Sequence, residues 1–258
     1  MSDWLHKLPL PGMAAFIFAC TYLVALGIYA LVARFARGER ARSLKAFSPG
    51  MLPPLCIIFG LFVAFTAAQV WGDAERATAS VNQEASALRA VQVYATSLPS
   101  ETRQRLSALV REYIQDVVSR EWPLMARRSA TFGSVPAQLS QAMDMDLALQ
   151  PATPGEAIAQ REIATALRNT IDAHRQRIIV SESQVNATKW SCLVVQALCA
   201  LLAIAVVHNG ERLASGIALG LFASGVAACI LLIASHDRPF TGDISVSPAP
   251  LIQIMPRD

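Results

Sequence analysis

Four stretches of the sequence run the length of a membrane crossing without a single charged residue: Gly12 to Ala33, Met51 to Trp71, Ser191 to Val207 and Leu213 to Ala234. A hydrocarbon core of about 30 Å is crossed by about 20 apolar residues wound as a helix, because no water is available there to satisfy open backbone groups. Ser191 to Val207 is the shortest block, at the low end of that range. Composition agrees, with 53% hydrophobic and 16% charged residues against roughly 25% charged in an ordinary soluble domain. The first block follows a single lysine, Lys7, is too long for a leader's apolar core, and is succeeded by a second block. It reads as a retained span.

The blocks divide the chain into a hairpin over 1–71, a polar segment over 72–190, a second hairpin over 191–234 and a polar tail over 235–258. Residues 72–190 hold 13 Lys/Arg against 13 Asp/Glu, the neutral balance of a solvated domain, so the basic pI gives no reason to expect nucleic acid as a partner. Trp71 and Trp190 bracket the segment, placed for one membrane–water interface. All five cysteines (Cys20, Cys56, Cys192, Cys199, Cys229) lie in the apolar blocks. That excludes a disulfide framework in the polar segment and predicts buried packing for the thiols. Arg34, Arg37, Arg40, Arg42 and Lys45 follow the first span. Positive charge in short loops marks the cytoplasmic side, which puts residues 72–190 and both termini on the outer side.

Within 72–190, Ala74, Ala77, Val81, Glu84, Leu88, Val91 and Ala95 recur at alternating steps of three and four, one face of a helix. Pro99 stops it and Ser100 is placed to cap the next helix, whose inward face is Leu106, Leu109, Val110, Tyr113, Ile114 and Val117. That helix is expected to break near Glu121-Trp122-Pro123. A short helix follows over Ala137 to Leu149. The last begins near Glu156 with the seam Ile163, Leu167, Ile171, His174, Ile178, Ser181 and Val185. Glu84 and His174 interrupt otherwise apolar seams. At 1.5 Å per residue they stand about 20 and 24 Å from Trp71 and Trp190. Either they meet, the carboxylate favouring a charged imidazole, or each finds a separate partner. The fold class is all-α: four transmembrane helices with a helical extramembrane domain between the second and third.

Gly216, Gly220, Ser224 and Ala228 in the fourth span, and Gly60, Ala64 and Ala68 in the second, repeat small residues every fourth position. Such stripes admit close helix approach, within the chain or between subunits. Gln69 and Gln196 are expected to form interhelical hydrogen bonds. The span interiors hold no Asp, Glu, Lys or Arg, against an ion-coupled transporter with intramembrane carboxylates. His6, His174, His208 and His236 are scattered singly, Asp144 and Asp146 lack a calcium-loop continuation, and no phosphate loop or nucleophile elbow occurs. The expectation is a non-enzyme without cofactor or metal.

Two stretches, PPLCIIFGLFVAFTAAQVW (Pro53 to Trp71) and DRPFTGD (Asp237 to Asp243), join E-A-x-x-L (Glu84 to Leu88) and E-W-P (Glu121, Trp122, Pro123). With these the chain resembles, over nearly its whole length, the bestrophin-like bacterial membrane proteins of unknown function. More distantly it is similar to bestrophins, pentameric anion channels with four spans and a helical domain between spans two and three. Their second span has a proline, apolar residues one turn apart that form a pore neck, and a glycine. Pro54, Ile57, Gly60 and Leu61 match that pattern, so the resemblance implies Ile57 and Leu61 as pore-lining residues. Asp237, Arg238, Pro239 and Phe240 fall where bestrophins have Pro-Phe-Gly and a calcium-binding acidic run. Here Ile244-Ser245-Val246-Ser247 replaces the acids, against calcium gating. In bestrophins the domain is cytoplasmic, the reverse of what the basic loop argues.

The expectation is a multi-pass protein of the cell (inner) membrane, in contact with the lipid bilayer and homo-oligomeric, acting as an anion channel with span two around the pore. The alternative is a non-conducting scaffold or sensor whose helical domain binds a protein partner.

Overall fold

The computed structural model describes residues 5–35, 48–131, 133 and 135–256. Among them there are helices and no strands. The basic residues Arg37, Arg40, Arg42 and Lys45 lie outside the described residues. The long helices are α1 (Leu10–Phe35), α2 (Leu52–Ala95), α3 (Ser100–Asp116), α6 (Pro154–Ser181), α7 (Ala187–Val207) and α8 (Arg212–His236). Shorter ones are α4 (Trp122–Ala126), α5 (Ala137–Leu147) and α9 (Ala249–Gln253), with a π-turn over Val117–Glu121. The chain forms two units, residues 1–71 with 184–237, and residues 72–183 with 238–258.

The first unit contains every apolar block, and the helices carrying the four blocks are long and apolar enough to cross a membrane. α1 packs on α7 and α8, and α7 on α8. Met13, Ile17, Phe59, Val70, Leu193, Ala227 and Ile233 form one apolar cluster and Ala25, Val32, Leu201, Ile204, Leu219 and Ala223 another. The buried stripe of α8 is Ser215, Leu219, Ala223 and Ala227, one position before the small-residue stripe Gly216, Gly220, Ser224 and Ala228. One residue is about 100° of rotation on a helix of 3.6 residues per turn, so Gly216 and Ala228 are exposed while Gly220 and Ser224 are half-buried. A Cβ at Gly60, Gly216 or Gly220 would meet nothing within 4 Å. Close packing inside the chain is therefore not what these glycines serve, although Ser224 shares a 2.7 Å hydrogen bond with Tyr22. Nor are the cysteines buried: Cys20, Cys192 and Cys199 are exposed on helix surfaces, and Cys56 and Cys229 are half-buried. Their apolar thiols suit a lipid-facing surface as well as a core. Gln69 accepts a hydrogen bond from Lys189 of α7, whereas Gln196 has an enclosed Oε1 without a partner among the described residues.

The second unit is built on the seam read from the sequence. Ala77, Val81, Leu88, Val91 and Ala95 of α2 pack with Leu106, Val110, Tyr113 and Ile114 of α3 and with Ile163 and Leu167 of α6. α2 ends at Ala95, and α3 starts at Ser100 with Pro99 as its N-cap and no side-chain cap, so Ser100 opens the helix without capping it. α6 begins two residues before Glu156: Thr153 Oγ1 accepts from the Glu156 amide at 3.2 Å, and Glu156 Oε2 accepts from Ala152 N at 2.7 Å. This near-capping box satisfies amides that a helix start leaves open. α6 stops at Ser181, and Asn186 caps α7 by accepting from the amides of Thr188 and Lys189. The membrane-side unit thus begins at Gln184, earlier than the boundary at 190/191 expected from hydropathy.

The segment read as a polar tail is instead part of this unit's core. Phe240 and Leu251 are buried, with Val246, Ile254 and Met255 packed beside them. Gln92 Nε2 donates to Ile254 O at 2.8 Å and Arg111 Nε to Pro256 O at 3.1 Å. Hydropathy hid this because the few apolar residues lie among prolines and serines with no regular period.

Candidate functional site

In the second unit, Arg177 is fully buried and forms the centre of an ionic cluster. Its Nε donates to Glu84 Oε2 at 2.7 Å, and its Nη2 to Glu84 Oε1 at 3.2 Å and Glu121 Oε2 at 2.9 Å. Nη1 lies 3.3 Å from Met125 Sδ, and the guanidinium carbon 5.3 Å from the centre of the Trp122 ring. Tyr113 Oη donates to Glu84 Oε1 at 2.5 Å. His174 Nε2 stands 3.0 and 3.1 Å from the two oxygens of Glu121. The carboxylate that meets His174 is thus Glu121, not Glu84. Of the two readings of the seam residues, separate partners is the one the geometry gives, within a single cluster joined by Arg177.

The electrostatics follow from burial and pairing. Burial pushes the Tyr113 phenol well above its ordinary range, and the Glu84 charge beside it adds to the effect. For Glu121 burial acts upward, but the His174 hydrogen bond and the Arg177 charge prevail and hold it below the usual carboxylate range. Burial opposes the charge on Arg177, and Glu84 more than restores it. Forked arginine–carboxylate pairs are among the strongest hydrogen bonds in a protein interior, and every polar atom of the guanidinium is engaged. This is a lock between α2, α6 and the π-turn.

The π-turn explains how Glu121 and Trp122 arrive there. Pro123 has no N–H and would clash with the preceding helical turn. The expected break is taken up by widening: Trp122 N donates to Val117 O, five residues back. Pro123 then lies in the first turn of α4, where a missing N–H costs nothing. The chain is redirected without ending the helical run.

The motif after the fourth span divides. Phe240 meets Trp122 edge-on, with ring centroids 5.5 Å apart at 81°. Pro239 O accepts from Val246 N at 2.8 Å, and Thr241 Oγ1 donates to Ala126 O at 2.8 Å. Arg238 is buried. In the first unit, Asp237 Oδ1 accepts from Val185 N at 2.6 Å, and its Oδ2 lies 3.7 Å from His6 Nε2. E-W-P and Pro239-Phe240 are therefore one packing site, a link that sequence separation concealed. Arg177 was also missed. Its signal was its position three residues after His174 on the inward face, where a buried Glu84 needs a cation.

Asp146, near the end of α5, is fully buried, with both carboxylate oxygens unpartnered among the described residues. Burial pushes it up to about 6. No group of three or more His, Cys, Asp or Glu among the described residues could hold a metal ion.

In the first unit, the membrane part of α2 turns Ile57 (67% exposed), Leu61 (55%) and Phe65 (68%) away from the chain's other helices. These three are one turn apart. Gly60, Ala64 and Ala68 lie beside them on the same open face.

Four apolar helices and a helical domain with a buried ionic core define a multi-pass helical membrane protein. The sequence matches the model of the Bestrophin-like domain over residues 19–251, and the chain belongs to the bestrophin-like family. Among solved structures it is similar to a bacterial bestrophin homologue from Klebsiella pneumoniae, crystallised with a mutation. The two share 15% sequence identity with a TM-score of 0.69, covering 94% of this chain and 96% of that one. No curated protein sequence matches the chain.

Proposed function

We propose that the protein is a homo-oligomeric anion channel of the bacterial inner membrane, with the membrane part of α2 lining the pore and Ile57 and Leu61 forming an apolar neck. The observation that carries this reading is the uncovered face of α2. Ile57 and Leu61 are more than half exposed in a span that holds no charged residue. Membership of the bestrophin-like family supports it, since bestrophins, which the chain resembles, conduct anions through such a neck. The outward glycines of α2 and α8 suit contacts between subunits. An apolar constriction gates by dewetting and needs no catalytic chemistry, so the protein is not an enzyme on this reading. The basic loop after α1 favours the cytoplasm, with the helical unit outside. A cysteine at exposed Gln104 of α3, probed with an impermeant maleimide on intact cells, reports that orientation.

Reconstituted in chloride-loaded liposomes, the purified oligomer is expected to release chloride but not sodium, and Ile57→Ala with Leu61→Ala to raise the flux by about tenfold by removing the apolar barrier. Absence of flux from a folded oligomer would refute the proposal. The scaffold reading has its own support in the exposed Leu147, Ile158 and Ile179 of the helical unit, apolar surface available to a partner. Monomeric behaviour in detergent with a co-purifying protein would favour it.

A further inference from the structure

Where α1, α7 and α8 end on one side of the first unit, a cavity of about 190 Å³ opens between Tyr29, Val32, Ala33, Ala205, Asn209, Gly210, Arg212 and Ser215. Its polar lining is rich in donors: a phenol, an amide, a guanidinium and a hydroxyl. Arg212 is the first residue of α8, a helix of 25 residues, and the open amides of a helix start carry partial positive charge toward an anion. Glu211, the N-cap, makes no side-chain cap bond and does not line the cavity. The first-turn amides are therefore not taken up by a carboxylate. Independently of the helix start, Ser215 is only 4% exposed and lines the same cavity, and its hydroxyl has no hydrogen-bond partner among the described residues. A Cβ at Gly210 would meet nothing within 4 Å, which leaves room beside the backbone.

We infer that this cavity binds a phosphate-type anion, held by Arg212, the first turn of α8, Ser215 and Asn209. Its position suggests where the phosphate comes from. The apolar blocks end at Ala33 and Val207 and resume at Leu213, so the cavity lies at the depth where phospholipid headgroups stand. Tyr29, an aromatic residue suited to that interface, forms one wall. Headgroup phosphate and free phosphate share this chemistry. The site is separate from the α2 face and does not depend on conduction.

The test titrates the purified full chain in detergent with phosphatidylglycerol, with phosphatidylcholine and, separately, with inorganic phosphate. Native mass spectrometry reads bound lipid and calorimetry reads phosphate. Saturable binding is expected, weakened by about tenfold in Arg212→Gln and by about threefold in Ser215→Ala, the losses proper to a charged and a neutral hydrogen bond. Lipid binding that millimolar phosphate does not displace assigns a headgroup site. Displacement, or binding of phosphate alone, assigns a free anion. No saturable binding of any probe, or equal binding by wild type and both variants, overturns the inference. Asn209→Ala replaces any variant that does not elute as the wild type does.

Discussion

Arg177 shows how much one buried charge can bind a domain to a single arrangement. Removing one partner from a buried, hydrogen-bonded ion cluster costs about 3–5 kcal/mol, whereas replacing a pair with apolar groups of similar size is often near neutral. Glu84→Gln is therefore expected to destabilise the helical unit by about 3 kcal/mol, and the double change Glu84→Leu with Arg177→Met to recover more than half of that, because His174 still faces Glu121. Denaturant unfolding followed by circular dichroism measures both, and additive losses would refute the coupling. Asp146 gives the opposite case, a buried carboxylate with no partner among the described residues. Its folded value, near 6, lies above that of the unfolded chain, so its contribution is fully present below the unfolded value. It is lost as pH rises through about 6. Asp146→Asn is expected to remove this loss, on the order of 2 kcal/mol between pH 4 and 8, and a variant with the wild-type pH profile would refute the assignment.

At the scale of elements, most helices were legible because their signals are local. Charge-free runs gave the spans, steps of three and four gave α2 and α3, and Pro99 and the turn before Glu156 set ends to within two residues. What escaped depended on contacts far apart in sequence. The partner of His174 lies 53 residues away and the ring facing Trp122 belongs to Phe240, pairings that no periodicity encodes. The π-turn escaped for a different reason. A proline states that the regular helix ladder must fail near it, not whether the chain then stops or widens. The small-residue stripe of α8 was legible as a pattern, yet its face is set by the neighbours of Ser215 and Ala223, one position away.

For the whole molecule, the main revision concerns the segment after α8. Leu251 is fully buried in the helical unit, which also contains residues 72–183. Leu251→Ala is expected to cost about 2–4 kcal/mol through lost transfer energy and the cavity left behind, far more than a change in a solvated tail. A thermal unfolding midpoint within a degree of wild type would refute it. The same closure imposes an order on biogenesis. Residues 238–256 leave the ribosome only after both hairpins have been synthesised, so the helical unit waits for its last core segment with Trp122 and the neighbouring apolar side chains uncovered. Synthesis of both hairpins thus precedes completion of the domain, and a nascent chain halted before Phe240 would present an unfinished core to chaperones and proteases.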